Sequence, residues 1–342
     1  MKDGKLQVVI APTEAQANTF PKQFANSIAS KKFELHTYNY EPALPEFSDI
    51  LILHWPNDFF LIHPPEKEIE FRRLLDMWKA AKAERNLRLI WAAHNLHPHE
   101  GLPCPTALAR LFLDSLDGII YFSDGARGLV RELYGVRPPH ELVTVHGHYR
   151  DDRVAAPRPP PATDGPIKLG YFGRVRPYKG LEKLIACMGQ LQDSQTILKI
   201  SGKRLNLTYA ATIEKMAAGN QKIITDLRDE FLSEIDLELA VDGCHGVVLP
   251  YSAVLNSGST MFALSRNRPV LAPNAGSLPE LQAGVTSHWL QIYNGELTPN
   301  SLDSFIKHLR EGLAECCDLS AYNWGPIGES LRHFIYTVHK GA

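Results

Sequence analysis

Short apolar segments recur at regular intervals along this chain, and most of them are continuously apolar instead of alternating with polar residues. In the first half they occupy residues 6–12, 33–39, 49–55, 87–94, 118–123 and 142–148. Runs of this kind are typical of strands covered on both faces, as in a parallel sheet. Helical patterns lie between them, and in residues 66–84 the expected apolar face includes Ile69, Leu74, Leu75 and Trp78. This alternation predicts a doubly wound α/β domain.

A proline-rich stretch then interrupts the pattern. Residues 151–166 carry four prolines between positions 157 and 161 and end on Gly165–Pro166, which is typical of a linker. A long surface loop inside one domain is the alternative, but the strand pattern resumes at once, in residues 167–172, 196–201, 222–225, 246–250, 269–273 and 288–292. We therefore predict two Rossmann-like domains with a cleft between them, and ligands outside the carboxyl ends of the strands. The predicted boundaries are 1–155, a linker at 156–166, 167–323 and a terminal helix at 324–342.

Composition narrows the class of protein. The chain has 342 residues and a net charge of −2, so it carries no overall basic charge that would indicate a nucleic-acid partner. Its five cysteines form no C-x-x-C pair, which favours a reducing, cytoplasmic location. The N-terminus lacks the pattern of a signal peptide, and no run reaches the ~18 apolar residues of a membrane span. We expect any membrane contact to be peripheral, on the inner face.

Polar residues cluster at three predicted strand ends of the first half. The segments are HWPND (54–58), HNLHPHE (94–100) and HGHYRD (146–151). One terminal histidine alone is usually a capping or packing residue, but three clusters on one rim indicate a binding site. The candidate binding residues on this rim are His54, Trp55, Asn95, His146, His148 and Tyr149. A metal site at His94, His97, His99 and Glu100 is the alternative, but this spacing matches no common zinc signature, so we predict none.

Two cations follow the first predicted strand of the second half. Arg174 and Lys179 lie in GRVRPYKG (173–180), and NSGST (256–260) opens a later helix. A helix start presents unpaired N–H donors, and arginine and lysine complement phosphate oxygens, so together they predict a diphosphate site. A plain helix cap and solvated loop cations are the alternative. The predicted residues of this diphosphate site are Gly173, Arg174, Lys179, Tyr251, Asn256, Ser257, Gly258, Ser259 and Thr260. No G-x-G-x-x-G follows the first strand and no P-loop motif occurs, which disfavours dinucleotide and P-loop nucleotide sites.

GRVRPYKG, followed by an amphipathic helix, resembles the G-R-x-x-x-x-K-G motif of the GT-B glycosyltransferases, especially the large retaining family 4. The resemblance implies two facing Rossmann-like domains. The N-terminal one binds the acceptor, the C-terminal one binds the nucleotide sugar, and a terminal helix crosses back to the first. It also matches His94 to the histidine that contacts the donor sugar.

The chain departs from family 4 at its Glu-x7-Glu motif, whose positions hold Val254 and Phe262. Six segments in order resemble instead the β-mannosyltransferases of xanthan assembly, glycosyltransferase family 94: HWP, HNLHPHE, HGHYRD, RPYKG, LPY…NSG and ALSRNRPVLAP. This resemblance implies an inverting transferase that uses GDP-mannose as a substrate, needs no cofactor, and acts on a polyprenyl-diphosphate-linked oligosaccharide in exopolysaccharide assembly.

An inverting transfer needs a general base beside the acceptor hydroxyl. Glu100 is the first candidate, and His94, Asp151 and His99 are the others, whereas Asp58 is the more ordinary surface charge. Two alternatives stay open: a retaining, family-4-like transferase that uses another nucleotide sugar, and a non-catalytic two-domain sugar-binding protein. Residues 58–82 also form a basic amphipathic pattern, which indicates either an anionic membrane surface or an ordinary domain helix.

Overall fold

The computed structural model describes residues 4–341, apart from 16–17, 42, 57–64, 97–105, 151–158, 194 and 313–315. The chain forms two compact units, one of Met1–Gly147 with Tyr322–Ala342 and the other of His148–Ala321. Of the predicted linker, residues 156–158 lie outside the described part, and the rest belongs to the second unit.

The first unit is built on a six-stranded sheet in the order β2-β1-β3-β4-β5-β6, in which every pairing is parallel. Its strands are β1 Leu6–Ala11, β2 Phe33–Thr37, β3 Ile50–Leu53, β4 Arg88–Ala93, β5 Gly118–Tyr121 and β6 His140–Val143. Its helices up to this point are α1 Phe20–Ile28, α2 Pro65–Arg85, α3 Thr106–Leu113 and α4 Asp124–Tyr134. The central strands β1, β3 and β5 are buried along their whole length, as their continuous apolar pattern predicts.

The second unit repeats this architecture with a sheet in the order β12-β11-β10-β7-β8-β9, again parallel throughout. Its strands are β7 Ile167–Val175, β8 Thr196–Arg204, β9 Ile223–Arg228, β10 Gly246–Val248, β11 Val270–Pro273 and β12 Leu290–Tyr293. Its helices are α5 Leu181–Gln190, α6 Leu207–Ala218, α7 Glu234–Asp242, α8 Gly258–Ser265, α9 Leu278–Val285 and α10 Pro299–Glu311. The predicted doubly wound α/β class is confirmed.

The last helix, α11 Trp324–Lys340, belongs to the first unit, where it packs against α1. Phe334 of this helix lies so close to the start of β5 that a Cβ on Gly118 would stand 2.9 Å from its ring. The chain therefore leaves the first unit after Gly147 and returns to it at Tyr322.

One detail of helix α2 differs from its predicted apolar face. Leu74, Leu75 and Trp78 are buried together with Phe71, but Ile69 is 54% exposed. Phe71, Leu74, Leu75 and Trp78 follow the i, i+3, i+4, i+7 spacing of one helix face, and Ile69 stands about 200° away from Phe71 around the axis. The prediction for Ile69 is wrong for this reason.

Candidate functional site

The residues predicted to bind a diphosphate lie where three neighbouring strands of the second unit end. Strands β10, β7 and β8 lie side by side, so their carboxyl ends meet at one edge of the sheet. Arg174 belongs to the end of β7, and a 3-10 turn over Pro177–Lys179 follows it before α5 begins. Lys203 pairs in register with Arg174 on β8, and Tyr251 lies three residues beyond the end of β10.

Glycine permits the strands to approach one another at this edge. Gly202 pairs with Gly173, and a Cβ on Gly202 would stand only 1.9 Å from the Gly173 carbonyl oxygen. Gly180 adopts a positive φ of 64°, and a Cβ there would lie 2.2 Å from the Pro250 carbonyl oxygen. A side chain at either position would push the backbone of the site apart, which explains the glycine that pairs with Gly173 and the glycine that follows Lys179.

Three cations at this edge pack on aromatic rings. Lys179 Nζ lies 3.7 Å from the centre of the Tyr251 ring, and Lys203 Nζ lies 4.3 Å from that of Phe231. The Arg174 guanidinium stands 5.9 Å from the same Phe231 ring. Among the residues that the structure describes, no carboxylate lies within ion-pair distance of any of the three. Their positive charge is thus held by ring faces and left uncompensated.

Burial affects the charge of one of these cations, Lys179. Lys179 is half-buried, whereas Arg174 is exposed. Desolvation lowers the pKa of Lys179, and the nearby positive charge of Arg174 lowers it further, while the Tyr178 side chain opposes both effects. An anion bound beside Lys179 would stabilise its charged form, since a lysine without a nearby negative charge is costly to bury.

Helix α8 starts beside these cations. Its N-cap residue Ser257 accepts hydrogen bonds from the Thr260 N–H at 3.1 Å and the Thr260 hydroxyl at 2.9 Å. The N–H groups of Gly258 and Ser259 lie in the first turn, where a helix offers them no acceptor of its own. A Cβ on Gly173 would lie 4.0 Å from Ser259 Oγ, so the end of β7 adjoins the helix start. The predicted turn at residues 256–260 and the predicted cations therefore come together.

Tyr251 joins the two parts of this site. Its ring carries the Lys179 ammonium on one face, and its hydroxyl lies near Ser257 and Ser259 without a hydrogen bond of standard geometry. Burial raises the pKa of Tyr251 to about 12, although the two serines oppose the effect. The phenol is therefore neutral at physiological pH and acts as a packing surface with a polar end.

The positions that carry two glutamates in retaining family 4 are occupied differently here. Phe262 forms edge-on contacts with Tyr149 and Phe172, both with ring centres 5.7 Å apart. Val254 is half-buried. An aromatic cluster thus replaces a carboxylate, and no acid stands at either position.

In the first unit, the histidines at the strand ends form one enclosed cluster. His54 follows β3 and His94 follows the adjacent β4, and His54 Nδ1 lies 2.9 Å from His94 Nε2. Trp55 stacks on the His94 ring at 4.7 Å, and Phe122 stacks on it at 4.8 Å. Phe20 of α1 touches His94 at 5.0 Å.

His146 completes this cluster at the end of β6. Its ring lies 4.4 Å from the Phe20 ring, which also contacts Trp324 of α11 at 5.5 Å. Desolvation lowers the pKa of His54 to about 3 and that of His146 to about 4, and it holds the pKa of His94 well below its ordinary value. All three rings are therefore neutral at physiological pH, and Asn95 follows them half-buried.

His148 and Tyr149 lie in the second unit, although the sequence placed both in the N-terminal domain. The Tyr149 N–H donates to Ser265 Oγ at 2.9 Å, and the Arg150 N–H donates to His148 Nδ1 at 3.1 Å. The Arg150 side chain donates to the Asn267 side chain and the Cys317 carbonyl, each at 2.8 Å. These bonds attach residues 148–150 to the end of α8, which moves the border of the unit to Gly147.

Several predicted residues fall in the gaps between the described ranges. Glu100, His99, Asp151 and Asp58 lie outside the described residues, as does His97. Within the described ranges, no group of three or more histidine, cysteine, aspartate or glutamate side chains is arranged to hold a metal ion.

The sequence prediction missed Lys203 and Phe231 as site residues. The signal for Lys203 was present, because SGK (201–203) ends a strand on the same edge as GRVRPYKG. Phe231 gives no such signal, since it lies beyond the end of β9, in a segment distant in sequence from Arg174, and only the folded structure brings its ring close to the cations.

The whole chain was compared with protein families and with known proteins. No protein-family model matches the chain. It is 29% identical over 331 residues to GDP-mannose:glycolipid 4-beta-D-mannosyltransferase from Xanthomonas campestris pv. campestris, which covers 95% of this chain and 90% of that protein. This similarity confirms the predicted resemblance to β-mannosyltransferases.

Solved structures confirm the GT-B fold. Sucrose-phosphate synthase from Thermosynechococcus elongatus superposes with a TM-score of 0.67 at 11% identity, over 99% of this chain and 100% of that one. Anabaena HepE in complex with UDP gives 0.63 at 14% identity, over 98% and 97% of the two chains. The lipopolysaccharide outer core galactosyltransferase WaaB gives 0.56 at 15% identity, over 98% of this chain and 97% of that one. None of the helices in the described ranges is both long and apolar enough to cross a membrane.

Proposed function

We propose that this chain is an inverting mannosyltransferase that moves mannose from GDP-mannose onto a lipid-linked oligosaccharide and forms a β-linkage. The observation that carries the proposal is the 29% identity, over 95% of the chain, to a protein named for GDP-mannose, a glycolipid acceptor and a β-mannosyl product. Similarity over nearly the whole chain covers both the donor-side and the acceptor-side strand ends.

The cation site of the second unit supports the donor half of this proposal. When mannose leaves GDP-mannose, negative charge develops on the diphosphate, and fixed positive groups stabilise that charge in the transition state. Arg174, Lys179 and Lys203 supply such groups, and the first turn of α8 adds backbone N–H donors. With three cations and a helix start available, we propose that the transfer requires no divalent metal and no other cofactor.

The occupants of the two former glutamate positions support inversion. An inverting transfer is a single displacement, in which the acceptor hydroxyl attacks the sugar and a base removes its proton. Val254 and Phe262 leave no carboxylate of the retaining motif on the donor side. We propose Glu100 as the base, with Asp151, His99 and His94 as the other candidates.

The proposed acceptor places the reaction at a membrane surface, as one step of exopolysaccharide assembly with peripheral contact on the inner face. The basic pattern of α2 gives this contact little support. Arg72 pairs with Glu68 at 2.7 Å, and Lys82 pairs with Asp117 at 2.7 Å, so much of its positive charge is neutralised within the unit. The ordinary-helix interpretation of α2 is therefore favoured, and we assign the contact to the amphiphilic acceptor.

The direct test is a transfer assay with the full chain, radiolabelled GDP-mannose and a polyprenyl-diphosphate-linked oligosaccharide. We expect a mannosylated glycolipid whose anomeric configuration, measured by NMR, is β. An α-linked product would replace the proposal with a retaining transferase, and sugar binding with neither transfer nor donor hydrolysis would replace it with a binding protein.

Nucleotide preference is tested separately by thermal unfolding. A nucleotide that binds only the folded state raises the melting temperature, so a screen of GDP, UDP, ADP, GDP-mannose and UDP-sugars ranks the donors. We expect the largest shifts with GDP and GDP-mannose. A larger shift with UDP or ADP would remove the assignment of mannose while leaving a glycosyltransferase.

A further inference from the structure

The histidine cluster of the first unit contains a hydrogen bond between His54 and His94. The direction of this bond decides which ring nitrogen of His94 carries the proton. His54 and His94 follow neighbouring parallel strands, and the two rings meet through His54 Nδ1 and His94 Nε2, 2.9 Å apart. The backbone N–H of His54 also donates to the Ala11 carbonyl at 2.8 Å, so its main chain is tied to β1. His54 is therefore a fixed partner for His94.

Aromatic side chains hold both rings in place. Phe24 stands edge-on to the His54 ring at 4.7 Å, with an interplanar angle of 87°. His94 lies between Trp55 and Phe122, whose rings stack on it at 4.7 Å and 4.8 Å. A ring enclosed in this way cannot turn over to exchange its two nitrogens without displacing its neighbours.

Burial keeps both rings neutral, because it lowers the pKa of His54 to about 3 and that of His94 well below its ordinary value. A neutral imidazole has one N–H donor and one bare nitrogen acceptor. The single bond between the rings therefore fixes both tautomers at once, and only two arrangements are possible.

The second nitrogen of His54 distinguishes the two arrangements. His54 is fully buried, and its Nε2 has no hydrogen-bond partner in the described part of the chain. If His94 donated from Nε2, His54 Nε2 would carry a buried N–H with no acceptor. If His54 donates from Nδ1, its Nε2 is a bare nitrogen, and the second proton of the pair lies on His94 Nδ1, which is not among the buried side-chain atoms that lack a hydrogen-bond partner. Orphaned buried N–H groups are rarer in proteins than unsatisfied acceptors, which favours the second arrangement.

We propose that His54 is a positioning residue, which donates its Nδ1–H to His94 Nε2 and so fixes His94 with its proton on Nδ1. The inference rests on the proposed function, and it assigns to His94 the sugar contact that the resemblance to GT-B glycosyltransferases implies, in place of the role of candidate base. In this tautomer the second ring nitrogen of His94 is an N–H donor. His94 then donates a hydrogen bond to a sugar oxygen, and the base that receives the acceptor proton is a different residue.

The first test is spectroscopic and does not depend on any activity. In the full chain labelled with ¹⁵N-histidine, long-range proton–nitrogen correlation spectra report which nitrogen of each ring is protonated, and the His94→Gln and His54→Asn variants assign the signals among the 14 histidines. We expect His94 to be protonated on Nδ1 and bare on Nε2. A His94 ring protonated on Nε2 in the wild-type protein would overturn the proposal, whether or not the chain transfers mannose.

The second test separates positioning from packing. His54→Leu keeps the site filled but removes the donor, and we expect the His94 proton to shift partly to Nε2 and kcat to fall about tenfold, the equivalent of one lost hydrogen bond. The KM for GDP-mannose should change less than about threefold, because the effect lies in orientation. His54→Asn places an amide N–H near the Nδ1 position and should restore most of the lost turnover. Unchanged His94 tautomer and turnover in His54→Leu would contradict a positioning role.

Discussion

The side chains that follow the strands of the first unit are enclosed and neutral, whereas those that follow the strands of the second unit are charged and partly exposed. His54, His94 and His146 are surrounded by aromatic rings, and burial removes their charge at physiological pH. Arg174, Lys179 and Lys203 stand on ring faces without a carboxylate among the described residues. The same sheet edge thus provides neutral hydrogen-bonding groups in one unit and uncompensated positive charge in the other.

This difference fits the two halves of the proposed glycosyl transfer. A sugar presents neutral hydroxyl groups, which neutral imidazole and amide groups can bind without attracting competing ions. A nucleoside diphosphate presents negative charge that increases as it leaves, and it requires cations that are not already paired. Variants of both units can test whether the contrast between them has this functional meaning.

The largest effect is expected from removing the unpaired cations. Arg174→Ala and Lys179→Ala should each reduce mannosyl transfer by about 100-fold or more, because positioned donors to a developing anion contribute ~3–4 kcal/mol. Lys168→Ala is the matched control, since Lys168 is an exposed cation near the start of the same strand, β7. All three variants should keep the wild-type melting temperature. Near-normal turnover in either site variant would mean that its side chain is not a diphosphate ligand.

A smaller effect, on stability as well as on binding, is expected from substituting a glycine of the Gly173–Gly202 pair beside the three cations. Gly202→Ala places a Cβ 1.9 Å from the Gly173 carbonyl oxygen, so the strands must separate at the site. Overpacking of this kind costs about 1–3 kcal/mol of unfolding free energy, and we expect donor binding to weaken with it. Gly189→Ala is the control, because a Cβ there would meet no atom of the described residues within 4 Å, apart from its neighbours in its own helix. Equal urea midpoints for the two variants would show that the edge is not tightly packed.

The buried histidine cluster of the first unit should make the stability of the protein sensitive to acid. In the unfolded chain His54 titrates near its ordinary pKa of 6.5, but burial lowers its pKa to about 3 in the native state. Below pH 6.5 His54 is therefore protonated in the unfolded chain but not in the native protein, and the free energy of unfolding decreases as the pH falls. Between about pH 7.5 and 5 this amounts to about 2 kcal/mol for His54. The loss measured by urea unfolding should be smaller by that amount in His54→Asn, and an identical pH dependence would contradict a neutral, buried His54.

The mildest effect concerns the pH dependence of GDP binding. Desolvation lowers the pKa of Lys179 in the free protein, and a bound diphosphate should raise it again. Affinity for GDP is therefore fully present while Lys179 is protonated in the free protein, and it declines as the pH rises through the lowered pKa. Calorimetric titrations over increasing pH should show this decline begin below the range of an ordinary lysine. Lys179→Arg should flatten it, since arginine stays charged; an unaltered decline in that variant would assign the titration to another group.

The two sites differed in how far the sequence could predict them. GRVRPYKG and NSGST predicted a strand end and a helix start that the structure brings together, because a strand end, a glycine and a helix cap each impose a local residue choice that is visible in the chain. Lys203 and Phe231 complete that site through parallel pairing of β7 with β8, and such pairing between distant segments leaves no local mark.

The histidine cluster illustrates the other limit. Continuous apolar runs predicted the strands and put His54, His94 and His146 at their ends, but the direct contact of His54 with His94 depends on the strand order β3-β4 and on α1, which brings Phe20 over the rings. The border between the two units at Gly147 could not be predicted from the sequence either. The proline content indicated a linker further along the chain, whereas residues 149 and 150 are already attached to α8 by hydrogen bonds in the second unit.

The most direct measurement of the central claim is calorimetric binding of GDP and GMP in the presence of EDTA, with wild-type protein and Lys179→Ala. If uncompensated cations of the second unit hold the diphosphate, GDP should bind at least about tenfold more tightly than GMP without any metal, and the difference should largely disappear in the variant. Equal affinity for GDP and GMP, or GDP binding that appears only after Mg²⁺ or Mn²⁺ is added, would contradict the account.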